Sequence, residues 1–205
     1  MITPTVLTIG HSKHSIEKFI GLLRPHSVSA VVDVRSQPYS KFNPDFNREV
    51  LARSLPMQGI AYIFLGKELG ARSDDPSCYE NGTVKYGRLA KTDAFRAGLE
   101  RVQAENVKQT IALMCAEREP LECHRTLLVA RELVNLGTDV VHILADGQVE
   151  PHADAMKRLL KLLGWPDQED LFRTYSQIMD EAYAAQESRV AYVDPELVSE
   201  GHPKP

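Results

Sequence analysis

The sequence has no apolar run approaching the roughly 18 residues that a membrane-spanning helix needs. No membrane partner is expected. Its opening, Met1-Ile2-Thr3-Pro4-Thr5, lacks the basic and apolar regions of a secretory signal. Cysteine is scarce and odd in number, with Cys78, Cys115 and Cys123 alone. A disulfide scaffold is therefore not expected, and a reducing cytoplasm is the expected setting. Excess positive charge is also missing: 24 Lys and Arg against 28 Asp and Glu give a net charge of −4. This argues against broad nucleic-acid binding but leaves a local basic pocket open. There is no internal repeat and no low-complexity segment. The patterns G-x-x-x-x-G-K-S/T and G-x-G-x-x-G do not occur, which removes the usual evidence for a P-loop nucleotidase or a dinucleotide-binding dehydrogenase. No pair shows C-x2-C or H-E-x-x-H spacing, so spacing alone assigns no metal ligands.

What is present is an ordinary globular composition over 205 residues, 43% hydrophobic and 25% charged. It predicts one α/β domain over residues 1–190, with a polar, flexible tail at 191–205. Short β-branched or apolar runs at Val6–Ile9, Ala30–Val34, Ala61–Phe64, Thr110–Met114 and Asp139–Leu144 read as strands. Between them lie helical patterns. The first is capped by Ser12 or Ser15, others cover 45–55, the stretch after Thr92, about 124–136 and 151–163, and a C-terminal helix covers 167–187. That last helix could pack on its own domain or on a partner, and a homo-oligomer stays open. Residues 66–89, rich in Gly, Asp, Ser and Asn, read as a long loop. Buried strands alternating with helices predict a mostly parallel sheet of about five strands with helices on both faces.

The chemically useful residues gather where strands end. Gly10-His11-Ser12 follows the first strand, Asp33 and Arg35 end the second, Cys115-Ala116-Glu117 ends the fourth, and Asp146 and His152 follow the fifth. In a parallel sheet these ends share one edge, the edge at which open α/β sheets bind ligands. The densest stretch is Cys115 to Arg125, which enters a helix through Cys123-His124-Arg125. A helix N-terminus beside Arg125 suits an anion, and a Cys there can be a thiolate nucleophile. Each residue also has a bland reading. Cys115 and Cys123 could be small buried hydrophobes, Ser12 a plain cap, and Asp33 with Arg35 a plain ion pair. His142 reads as a buried, hydrogen-bonded histidine. Tyr39, Lys41 and Phe42 could line a pocket or simply pack their loop. His11, Cys115, Cys123, His124 and His152 could serve a metal ion only if they converge.

At these residues the sequence resembles the bacterial and archaeal family named domain of unknown function 488. The resemblance rests on Thr8-Ile9-Gly10-His11-Ser12, Val32-Asp33-Val34-Arg35 with Pro38 and Phe42, and Leu65-Gly66 to Gly70. It continues through Cys115-Ala116-Glu117 with Pro120, Cys123-His124-Arg125, Val141-His142-Ile143 and Pro151-His152. Ala71 departs from it, where a second glycine would follow Gly70. The resemblance implies a compact α/β fold and a site including His11, Asp33, Arg35, Cys115, Glu117, Cys123, His124 and Arg125; it supplies no reaction. The strand–Cys–loop–helix pattern at 110–136 is also similar to rhodanese sulfurtransferases, without a Cys-x5-Arg arrangement. The expectation is an enzyme for a phosphate- or nucleotide-containing substrate. Ser12, Asp33, Arg35, Arg125 and His152 would bind it, Cys115 or Cys123 would be nucleophile, and His11 or His124 acid–base. Glu117 would orient a histidine or take a proton. It would be a hydrolase or transferase with no cofactor specified. The alternatives are a module that binds a nucleotide or a nucleic-acid end without catalysis and a Cys/His metal-binding protein.

Overall fold

The computed structural model describes residues 4–199. Along the chain, β1 (Val6–Gly10) leads to α1 (Ile16–Leu23), β2 (Ala30–Asp33), α2 (Arg48–Ser54), β3 (Ala61–Phe64) and the one-turn α3 (Gly66–Leu69). A hairpin of β4 (Tyr79–Glu80) and β5 (Thr83–Val84) precedes the short α4 (Tyr86–Leu89) and the long α5 (Asp93–Lys108). Next come β6 (Ile111–Cys115) and a π-helical segment, Arg125–Ala130, that runs into α6 (Arg131–Asn135). The chain ends with β7 (Val140–Ile143), β8 (Val149–Pro151), α7 (His152–Leu163), α8 (Tyr175–Val190) and α9 (Pro195–Ser199).

The main sheet has the order β3-β2-β6-β1-β7-β8. Its first five strands are parallel and β8 is antiparallel to β7. The inner strands are apolar on both faces because both faces are covered. On one face Phe19 and Leu23 of α1 and Leu51 and Leu55 near α2 pack against Ile9, Val31, Ala112 and Met114. On the other, Phe95, Leu99, Leu128, Leu159 and Ile178 pack against Val6, Val32, Leu113 and Val140. The chain therefore leaves β1 and β2 toward one face and leaves β6, which lies between them, toward the other. Connections that diverge from neighbouring strand ends open a crevice there. Cys115, at the end of β6, sits at that crevice.

Four expectations change. The sheet has a sixth strand, β8, and its hairpin turns the chain back so that Pro151 lies opposite Val141. His152 is thus carried away from the carboxyl edge where the fifth strand ends. The stretch 66–89 is not a structureless loop but holds α3, the hairpin and α4. The C-terminal helix starts at Tyr175, not 167, because Thr174 and Gln177 form a capping box; Leu171 is left exposed. Residues 192–194, expected in a frayed tail, run beside the hairpin, with Val84 N–H donating to Tyr192 O and Asp194 N–H to Gly82 O. Residues 195–199 of that tail form α9, and 200–205 lie outside the described residues. Ser15, not Ser12, caps α1.

Candidate functional site

The site begins with the backbone around Gly10. Beyond the paired strands, His11 N–H donates to Cys115 O at 2.9 Å and Ser12 N–H to Ala116 O at 2.9 Å. The loop leaving β6 is thereby fastened alongside the loop leaving β1. A Cβ on Gly10 would overlap the Glu117 carbonyl oxygen. From the other side, Arg125 Nη1 donates to that same oxygen at 2.7 Å, and Nη2 donates to Arg118 O at 3.3 Å. Arg125 is fully buried, and its Nε–H has no partner. The guanidinium expected to bind a substrate anion instead holds the loop that carries Glu117.

Above this clamp four side chains converge. Glu117 Oε2 accepts from Cys115 Sγ at 2.9 Å and from Cys123 Sγ at 3.0 Å. His124 Nδ1 lies 3.6 Å from Cys115 Sγ and 4.0 Å from Cys123 Sγ. His124 Nε2 lies 3.0 Å from Val34 O. A carbonyl can only accept, so Nε2 carries the hydrogen and Nδ1 is the atom presented to the sulfurs. Arg125 N–H donates to Cys123 Sγ at 3.4 Å. Both cysteines are buried, whereas Glu117 is exposed at the mouth.

Burial pushes the Cys115 thiol well above its ordinary value, and its neighbour Cys123 adds to the shift. Burial opposes ionisation of Cys123 as well, but the neighbouring Cys115, the Arg125 charge and His124 outweigh it and hold that thiol well below its ordinary value. Burial disfavours the His124 cation, yet Cys123 and Glu117 raise its pKa. Although Glu117 as a residue stands at the exposed mouth, desolvation of its carboxyl end against the two sulfurs, then Cys123, raises its pKa.

A second layer is built on Asp33. Its carboxylate accepts Arg35 Nε at 2.8 Å, Arg35 Nη2 at 2.6 Å, Arg35 N–H at 3.1 Å and the Tyr62 hydroxyl at 2.7 Å. Arg35 Nη2 also donates to Phe46 O, and Nη1 lies 3.1 Å from His11 Nε2. His11 Nδ1 donates to Ser12 O and its ring stacks on Phe46 at 4.3 Å. Nε2 of His11 is therefore the acceptor for Arg35. Burial first, and Arg35 second, lower its pKa to about 4. His11 thus positions Arg35 and is not in the Cys–Glu–His cluster.

The opening in front of the cluster is a cavity of about 260 Å³. Arg35, Ser36, Gln37 and Arg72 line one part of it, and Cys115, Glu117, Glu122 and His124 another. Tyr86 and Tyr192 complete its walls. Ala71 also lines it and is not among the non-glycine residues with positive φ, so an alanine is unstrained there. Gly66 and Gly70 do require the absence of a side chain, since a Cβ would overlap Arg35 O and Gly66 O respectively. Of the expected site residues, Arg35, Cys115, Glu117 and His124 line the cavity. Cys123, Asp33, His11 and Arg125 stand behind them. Ser12, Asp146, His152, Tyr39, Lys41 and Phe42 are not in its lining. Asp146 accepts from Gln148 N–H within the turn after β7. His152 belongs to a separate buried chain, Thr8–His142–His152–Tyr183, with contacts of 2.7, 3.1 and 2.7 Å. Sequence reasoning missed Arg72 and Tyr192. Both come from segments read as loop or tail, and the Arg72 guanidinium lies 4.2 Å over the Tyr192 ring.

Fold and site together define an α/β protein with a Cys/His/Glu-floored cavity at the carboxyl edge of a parallel sheet. The model of the family described as Domain of unknown function DUF488 matches residues 15–131, more than half of the chain, and the protein belongs to that family. No curated protein and no solved structure matches it. Among the described residues, no helix is long and apolar enough to cross a membrane.

Proposed function

We propose that this protein is an enzyme acting on a small anionic substrate held in the cavity at the carboxyl edge of the sheet. The observation that carries the reading is one cavity shared by two guanidinium groups, Arg35 and Arg72, and the reactive set Cys115, Glu117 and His124. Four donor contacts of Arg35 are already made, to Asp33, Phe46 and His11, which leaves one Nη1 hydrogen for a ligand. Arg72 is held by Gln37 and Tyr192 and presents the less neutralised charge. The volume, about 260 Å³, falls below the roughly 300–1,000 Å³ of pockets that enclose drug-sized ligands. It suits a phosphoryl- or carboxylate-sized group better than a whole nucleotide. The reaction class is hydrolysis or group transfer, with Glu117 placed to accept a proton.

The test is a titration with inorganic phosphate and small phosphomonoesters followed by thermal unfolding, together with turnover of chromogenic phosphate and carboxylic esters. The expected result is stabilisation by the anion, weakened roughly tenfold or more in Arg72→Gln, and turnover abolished in Glu117→Gln. Binding without turnover of any ester would instead favour a binding module. Neither binding nor turnover would remove the reading.

A further inference from the structure

We infer that Cys115, Cys123, His124 and Glu117 form a site for one divalent transition-metal ion of the zinc type, with Glu117 as its exchangeable ligand. Their ligand atoms all lie within 4.8 Å of one another. Two sulfurs, one imidazole nitrogen and one carboxylate oxygen form the donor set that a borderline-soft, tetrahedral ion takes. Bonds of about 2.0–2.3 Å in a tetrahedron place neighbouring ligands about 3.3–3.8 Å apart. The separations of 3.6 and 4.0 Å between His124 Nδ1 and the two sulfurs are close to that spacing.

The surroundings point the same way. Metal-bound histidines commonly donate their other ring N–H to a carbonyl, which fixes the ligating nitrogen. His124 does so to Val34 O, leaving Nδ1 inward. The Arg125 N–H on Cys123 Sγ is a contact of the same supporting kind. Charge gives an independent argument. Arg125 is a fully buried cation, bonded to two carbonyls and to no carboxylate. A buried charge without a counter-charge is costly. Two thiolates and one carboxylate around a divalent ion leave one negative charge, which Arg125 would balance.

The geometry also separates the ligands by role. Cys115, Cys123 and His124 are buried, while Glu117 is exposed. Three fixed protein ligands with a fourth position open to a cavity is the pattern of catalytic rather than structural zinc. A substrate oxygen in the cavity could replace Glu117 and free its carboxylate as a base. On uptake, two metal–sulfur bonds, one metal–nitrogen bond and one metal–oxygen bond form. The S–H bonds present break, their protons pass to solvent, and no electron is transferred. The inference deepens the enzyme reading and rests on it for the role of the open position; the ion site is tested without substrate.

The full-length protein, stripped by chelator under a thiol reductant, is titrated with Zn²⁺ alone and with Co²⁺ alone. The expected result is one ion per chain by elemental analysis, with thiolate-to-cobalt charge-transfer absorption. Cys115 and Cys123 become protected from alkylation, read peptide by peptide. Cys123→Ser and His124→Ala should each lose more affinity than the roughly 10–100-fold typical of a change to a supporting residue. Since a buried substitution can itself unfold the chain, wild-type thiol protection stands as the independent measure. Uptake well below one ion per chain, or an ion that leaves both thiols as reactive as before, would overturn the inference. Ester turnover by the metal-free protein would overturn the catalytic role of the open position while leaving the enzyme reading intact. A protected, stoichiometric ion without anion binding would do the reverse.

Discussion

The carbonyl oxygen of Glu117 occupies the space that a side chain on Gly10 would need, and Arg125 donates to that same oxygen from the opposite side. The loop bearing the Glu117 carboxylate is thus gripped through its backbone. Gly10→Ala cannot be absorbed by a side-chain rotation, because the obstacle is main chain. It is expected to cost about 1–3 kcal/mol, the usual penalty for overpacking. It should also move Glu117 off the two sulfurs. Urea unfolding measures the first effect, and alkylation of Cys115 and Cys123 measures the second. An unfolding midpoint equal to wild type would contradict the close approach.

Arg125→Met removes the other half of the grip. Two buried carbonyls, of Glu117 and Arg118, lose their partner. The expected loss is roughly 3–6 kcal/mol, summing two bonds from a charged donor. The Cys123 thiol should also become harder to ionise, because a nearby positive charge has gone. A pH titration of alkylation at Cys123 in metal-free protein checks the direction. An unchanged or lower apparent pKa would argue against it.

Stability should fall as the pH drops below 6.5. Burial, with Arg35 second, holds His11 at about 4; burial alone holds His152 at about 4; burial and then His152 hold His142 well below its ordinary value. All three stay neutral in the folded chain. The unfolded chain takes up protons near pH 6.5, so between about pH 6.5 and 4 it binds more protons than the fold, and acid favours unfolding. The cost is roughly 2 kcal/mol for each of His11 and His152 between pH 7 and pH 5. His124 and Glu117 are shifted upward and work in the opposite sense. Chemical denaturation at the two pH values reads the balance, and a midpoint that rises toward pH 5 would contradict it.

Tyr183→Phe cuts the end of the Thr8–His142–His152–Tyr183 chain. In one arrangement the tyrosine hydroxyl donates to His152 Nε2, and every histidine hydrogen then points toward Thr8. In the other, Thr8 donates and every hydrogen points toward Tyr183. The substitution leaves one imidazole nitrogen unsatisfied in either case, at a cost of about 1–3 kcal/mol. Turnover and anion binding at the cavity should not change, because the chain is not part of its lining. A stability loss under about half a kcal/mol would mean that His152 finds another partner.

Of the five parallel strands, the inner ones could be read from the sequence because each is a largely apolar run covered on both faces, and the edge strand β3, though only part-buried, because Ala61-Tyr62-Ile63-Phe64 is rich in aromatic and β-branched residues. β8 could not: Val149-Glu150-Pro151 is short and mixed, and its pairing is set by the turn before it. The Thr174/Gln177 capping box was legible and would have placed the start of the last helix correctly. At the site, residue types and strand ends brought Cys115, Glu117, Cys123 and His124 into view. The direction of Arg125 was not legible, since an arginine after Cys-His reads equally well as facing a ligand or a carbonyl. Nor could the sequence show that His152 is carried off by the return of β8.

The position of β1 between β6 and β7 governs the order in which this protein can take shape. Its partners are Leu7 with Ala112 on one side and Leu7 with Val141 on the other, so the first strand made waits for chain synthesised more than a hundred residues later. β2 and β3 can pair early, but a nascent chain has no central strand to receive β1 until residue 115 is available. Such distant pairings are slow steps and leave apolar strand edges open to association meanwhile. The cavity, being made at β6, waits for that insertion, so in newly made chains it should form late and all at once.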